Sequence, residues 1–154
     1  MRGANIRPRQ KTIMSLEPLF EASLLIQIHA FAAIAAFFLG IVQLSAPKGT
    51  LPHKSLGAVW VGLMIVVTLS SAFIVNPTKP GDPFWARFSY IHIFTIVTAA
   101  GIVGGLHYLS RGGAELKRHK GPFIGIFIGG LVVAGALAFI PGRIMHEVVF
   151  GAPG

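Results

Sequence analysis

The sequence predicts an all-α integral membrane protein, a four-helix bundle made of two tandem two-helix repeats, and three observations carry that reading. Four apolar runs each have about the 20 residues a helix needs to cross a hydrocarbon core of ~30 Å. Hydrophobic residues make up 53% of the chain and charged residues only 12%, whereas a soluble domain carries charge on about a quarter of its positions. The same histidine motifs recur in the two halves of the chain.

The spans are placed at 23–44, 55–75, 88–109 and 122–140, and none of them contains Lys, Arg, Asp or Glu. The breakers expected of loops lie between them: Ala46-Pro47-Lys48-Gly49, the Pro-rich stretch from Asn76 to Pro83, and Ser110-Arg111-Gly112-Gly113, with Pro141-Gly142 closing the fourth run. Barrel strands would be about 10 residues of alternating polarity, and these runs are longer and unbroken. The division is therefore a basic tail and lead-in at 1–22, a transmembrane domain at 23–140 and a short C-terminal tail at 141–154. Arg-rich residues before the first span and alanines within it resemble a signal peptide. The apolar run continues from Phe37 to Leu44, however, past the length of a signal h-region, and reads as a retained helix.

The net charge is +8, but the 13 basic residues sit in the tail and loops rather than on one face. That pattern orients helices and meets anionic lipid, so no nucleic-acid partner is expected. Cysteine is absent, which excludes disulfides, thiolate metal sites and thiol nucleophiles. Lys and Arg number seven on the N-terminal side (Arg2, Arg7, Arg9, Lys11, Lys79, Arg87, Arg143) against six opposite (Lys48, Lys54, Arg111, Lys117, Arg118, Lys120). A start at Met14 changes this to three against six and places the first and third loops in the cytoplasm. The localisation expected is a multi-pass protein of a bacterial inner membrane.

Laying the second half on the first, Ile28-His29-Ala30-Phe31 faces Ile91-His92-Ile93-Phe94, and His53-Lys54 faces His119-Lys120. One helix and one loop separate each pair, at spacings of 24 and 27 residues, and duplication explains the pattern economically. His29 and His92 then lie at similar depth near one surface, joined by His146. His53 and His119 lie near the other surface with His107.

An ionisable side chain inside a span points to function, and a haem iron in a helical bundle takes two neutral imidazoles among small residues. Ala32, Ala33, Ala36 and Gly40 share the His29 face, Thr95, Ala99 and Val103 the His92 face, and the fourth run carries Gly121, Gly125 and Gly129. The same stripes are also how membrane helices pack, and boundary histidines also serve as interfacial anchors. No Asp or Glu lies within a span, so proton relays and catalytic triads lack their parts, and no hydrolase or transferase signature is present. Imidazoles grouped three to a side also suit zinc or copper.

The segments His29, Lys48-Gly49, His53-Lys54, Gly57 and Trp60, then His92 and His119-Lys120, resemble a family of uncharacterised bacterial membrane proteins known as a domain of unknown function. The resemblance covers roughly 24–140 and implies no activity. A more distant similarity, carried by His53-Lys-Ser-Leu-Gly57 and Ile91-His92, is to the cytochrome b 561 class, whose four-helix core holds two haems through paired histidines. That resemblance implies His29 with His92 as one axial pair and His53 with His119, or with His107 in place of one of them, as the other. The expected function is that of a small b-type cytochrome-like electron carrier holding one haem b or two. The expected partners are the bilayer, a redox partner or larger membrane complex, and a second copy of the chain. The rival classes are a non-enzymatic membrane accessory or assembly subunit and a histidine-based metal carrier.

Overall fold

The computed structural model describes residues 14–89 and 91–151, and the described residues are helices and connecting turns without a strand. In chain order the helices are α1 (Glu17–Glu21), α2 (Leu24–Ser45), α3 (Leu51–Phe73), α4 (His92–Arg111), α5 (Lys120–Ile126), a wider π-helical stretch (Phe127–Val133), α6 (Ala134–Leu137) and α7 (Ile144–Phe150). The run Gly113–Leu137, which opens with a 3-10 turn, forms the fourth long helix. Four helices are thus long and apolar enough to cross a membrane. Only 17–28% of the most apolar stretch of each is buried inside the chain. The remaining faces present side chains such as Phe38, Ile96 and Val103 outward, which is stable where the solvent is hydrocarbon.

Local chemistry fixes where these helices begin and end. The Ser23 side chain accepts from the Ile26 amide at the start of α2, and the Thr50 hydroxyl accepts from the His53 amide at the start of α3, with a proline in its first positions. Each occupies an amide that the first turn leaves unpaired. At the other end of α2, the Lys48 ammonium donates to the carbonyls of Gln43 and Leu44 at 2.9 and 2.7 Å, where the helix dipole favours a cation. As a result α3 begins at Leu51, and His53 lies in its first turn. The helix α4 begins at His92, because Phe84–Arg87 form a separate 3-10 turn ahead of it.

The long helices pack in sequence, α2 on α3, α3 on α4 and α4 on α5, and the π stretch returns to α2. The four spans therefore close into a ring with α2 and α4 on one diagonal. The core sits at mid-span and is filled by Ala36, Trp60, Met64, Ile102, Ile126, Phe127 and Leu131. Small residues let the helices approach one another. A β-carbon at Gly40 would lie 2.6 Å from the Phe127 ring, at Gly101 2.1 Å from Ile126, and at Gly105 2.2 Å from Phe123. Close backbone approach of this kind is what holds helices together in lipid.

Two short helices lie against the end of the bundle where α2 and α4 begin. In α1 and α7, Leu19 and Val148 are buried and the Ser15 amide donates to the Val148 carbonyl at 3.0 Å. The Gln27 amide of α2 donates to the carbonyls of Phe20 and Ala22 at 3.0 and 2.9 Å, satisfying the end of α1.

Candidate functional site

The histidines fall into the two end groups read from the sequence, and their local chemistry differs. His29, six residues into α2, sets its Nδ1 3.2 Å from the Val67 carbonyl and 3.0 Å from the Ser70 hydroxyl, both on α3. The Ser70 hydroxyl gives its own proton to the Val66 carbonyl at 2.6 Å, so the proton between His29 and this acceptor pair belongs to Nδ1. The ring is therefore held with Nδ1–H on a backbone carbonyl and its Nε2 lone pair unspent. That is the tautomer in which a histidine ligates a metal, since ligating imidazoles usually donate their other N–H to a carbonyl or carboxylate.

His92 folds back on its own approach segment. Its Nδ1 lies 3.1 Å from the Ser89 amide and 3.2 Å from the Ser89 carbonyl, and the ring meets Phe88 edge-on at 5.2 Å. Its Nε2 is buried and has no hydrogen-bond partner. A buried nitrogen without a partner is costly in an apolar setting whichever tautomer it adopts. With the Ser89 amide donating to Nδ1, the orphan Nε2 carries the proton; with Nδ1–H turned to the Ser89 carbonyl, it is a lone pair available for ligation.

Small polar groups surround these two residues. Ser71 and Thr95 hydroxyls meet at 3.0 Å between α3 and α4, and Thr68, Ser70 and Thr98 are buried. A groove of about 760 Å³ runs between α3 and α4, lined by Thr68, Ala72, Thr95, Ile96, Ala99 and Val103 among others. A second groove of about 520 Å³ is lined by His92, Phe88, Ser89, Ile93 and Ile96. Thr95, Ala99 and Val103 of the His92 face thus line open space. On the His29 face, Ala32, Ala36 and Gly40 are buried, and Trp60 and Phe127 fill the space beside Ala36 and Gly40. No hydrogen bond or ring contact joins His29 to His92 among the described residues; α3 carries the partners of the first and α4 holds the second.

At the opposite end, Gln43 of α2 donates through Nε2 to both the Nδ1 and the carbonyl of His53, at 3.0 and 2.8 Å, while its buried Oε1 has no partner. His119 places its Nδ1 on the Leu116 carbonyl and its ring against Phe123 at 5.8 Å. Phe123 in turn meets Trp60 edge-on, so His53 and His119 lie beyond this contact at the same end. Lys48, His119 and Lys120 are all within electrostatic range of His53. His107 is exposed and its ring lies beside Tyr108 at 6.0 Å. His146 places Nδ1 2.9 Å from the Phe139 carbonyl.

Among the described residues no three His, Cys, Asp or Glu side chains are grouped to hold a metal ion, so any iron held here would rest on two imidazoles and its own macrocycle. The orphaned Gln43 Oε1 and His92 Nε2 and the unspent His29 nitrogen carry no signal in the sequence, because each depends on what a neighbouring helix supplies. Compared with known proteins, the chain matches no family model, no curated protein and no solved structure.

Proposed function

We propose that this membrane protein is a small b-type cytochrome-like electron carrier in which His29 and His92 bind one haem near the surface where α2 and α4 begin. The observation that carries the reading is shared by the two residues. Nδ1 of His29 meets the Val67 carbonyl, Nδ1 of His92 meets the amide and carbonyl of Ser89, and each Nε2 is left for an outside group, that of His92 buried without a hydrogen-bond partner. Haem would supply one-electron redox chemistry. The chain's own part is to fix the depth and orientation of the two imidazoles through Val67 and Ser89 and to exclude water with the surrounding apolar helices. The reduced-minus-oxidised spectrum of the purified chain and of its His29→Ala and His92→Ala variants tests this.

A second reading, a non-enzymatic subunit of a larger membrane complex, is favoured by one different observation. Gly121, Gly125 and Gly129 form a stripe with nothing near them inside the chain, unlike Gly40, Gly101 and Gly105. Small-residue stripes are how membrane helices dock. Co-purification after gentle solubilisation, repeated with Gly125→Leu, distinguishes a docked face from a lipid-facing one. For sidedness, the excess of Lys and Arg around the first and third loops over the second loop and α7 supports placing those two loops in the cytoplasm of a bacterial inner membrane.

A further inference from the structure

The charged groups of the described residues are divided unequally between the two ends of the bundle. The end of the first and third loops carries Lys48, Lys54, Arg111, Lys117, Arg118 and Lys120 against Glu115 alone, a net of +5. The opposite end carries Lys79, Arg87 and Arg143 against Glu17, Glu21, Asp82 and Glu147, a net of −1. Glu115, the single acid at the basic end, is already paired with Arg118 at 3.1 Å.

Within that end Lys48, His119 and Lys120 all act electrostatically on His53. Gln43 donates to His53 Nδ1 at 3.0 Å, so the neutral ring carries its proton on Nε2 and presents a donor. Lys48 reaches back onto the carbonyls of Gln43 and Leu44, the same Gln43 that holds His53. His119, seated on Phe123, and Lys120 come from the other side, and both lie within electrostatic range of His53. No acid is among the groups acting on His53, so an anion brought here meets the charges of Lys48 and Lys120 and the His53 N–H without a competing carboxylate.

We infer that Lys48, His53, His119 and Lys120 seat the phosphate of an anionic phospholipid headgroup at the end of the bundle that bears the first and third loops. A lipid, rather than free phosphate, is the occupant the surroundings fit. The cluster lies at the rims of three long helices, the level at which headgroups sit. Exposed apolar side chains, Leu44, Leu51, Leu116 and Ile124, lie beside it to meet acyl chains. Juxtamembrane basic groups of this kind are attracted to anionic lipid by about 1 kcal/mol for each Lys or Arg.

The test uses the full chain in detergent, titrated with phosphatidylglycerol or phosphatidylcholine and read by native mass spectrometry. Preferential retention of phosphatidylglycerol is expected. Lys120→Gln should weaken that preference by about fivefold, and Lys48→Gln by a similar factor. Lys79→Gln, at the opposite end, should leave it unchanged. Because Lys48 also caps α2, the Lys120 variant is decisive: its ammonium makes no hydrogen bond among the described residues, so its loss removes charge without removing a cap. Equal retention of the two lipids, an equal loss in the Lys79 variant, or displacement of the lipid by inorganic phosphate would overturn the inference. Neither haem content nor the fate of His29 and His92 enters this readout.

Discussion

The indole N–H of Trp60 donates to the carbonyl of Ala36 at 2.9 Å, a buried hydrogen bond from α3 to the backbone of α2. It is possible because Ala36 and Gly40, one turn apart, leave room for the ring, and Phe127 closes the other side. In lipid such a bond is worth about 0.6 kcal/mol on average and up to about 1.7. Trp60→Phe should therefore lower stability by about that amount, read as a shift in unfolding during denaturant titration of the detergent-solubilised protein. A variant as stable as the parent would mean that the bond contributes nothing.

Glycines of α4 and of the fourth helix should respond in opposite ways to the same change. At Gly101 and Gly105 an added methyl would meet Ile126 and Phe123 at 2.1 and 2.2 Å, and overpacking of this kind costs about 1–3 kcal/mol. At Gly125 nothing lies within 4 Å, so Gly125→Ala should be neutral or stabilise by up to about 1 kcal/mol through helix propensity. A clear loss for Gly125→Ala in the purified protein would show that this face is covered by another copy.

If His29 holds iron, the groups behind it set its affinity. Ser70→Ala removes the hydroxyl 3.0 Å from Nδ1 and leaves the Val67 carbonyl in place. Loss of such a supporting group typically lowers metal affinity or activity by about 10–100-fold. Haem retention on dilution should fall in this variant while the helical circular-dichroism signal stays unchanged. Full haem retention would remove Ser70 from the account.

Sidedness can be measured directly because the chain has no cysteine. In intact cells a membrane-impermeant maleimide should label Asp82→Cys, in the second loop, when the outer membrane is made porous. Ala114→Cys, in the third, should label only after the inner membrane is opened. The reverse pattern would invert the topology.

Much of this fold was legible in the sequence and some was not. Four spans follow from hydrophobic length, and the Thr50 and Leu51-Pro52 signal shows why α3 starts before Ser55: a hydroxyl cap followed by proline opens a helix even where Lys54 interrupts the apolar run. The pairing of α1 with α7 has no such signal, since Leu19 and Val148 are separated in sequence by the whole bundle. The π stretch is equally silent, because its wider turn places Phe127 and Leu131 together in the core without altering the hydrophobic pattern. For the candidate site, histidine spacing places His29 and His92 near one end. It does not reveal that Ser70 spends its proton on Val66, or that Ser89 folds onto His92, and those contacts decide which ring nitrogen is left free.

The most direct test of the central claim is the visible spectrum of the detergent-purified chain, oxidised and then reduced with dithionite, alongside His29→Ala and His92→Ala. The account predicts Soret and alpha bands of a reduced b-type haem in the parent and their loss in both variants, with His146→Ala unaffected. A parent that stays colourless after expression with added haem precursor, or bands that persist in both variants, would contradict it.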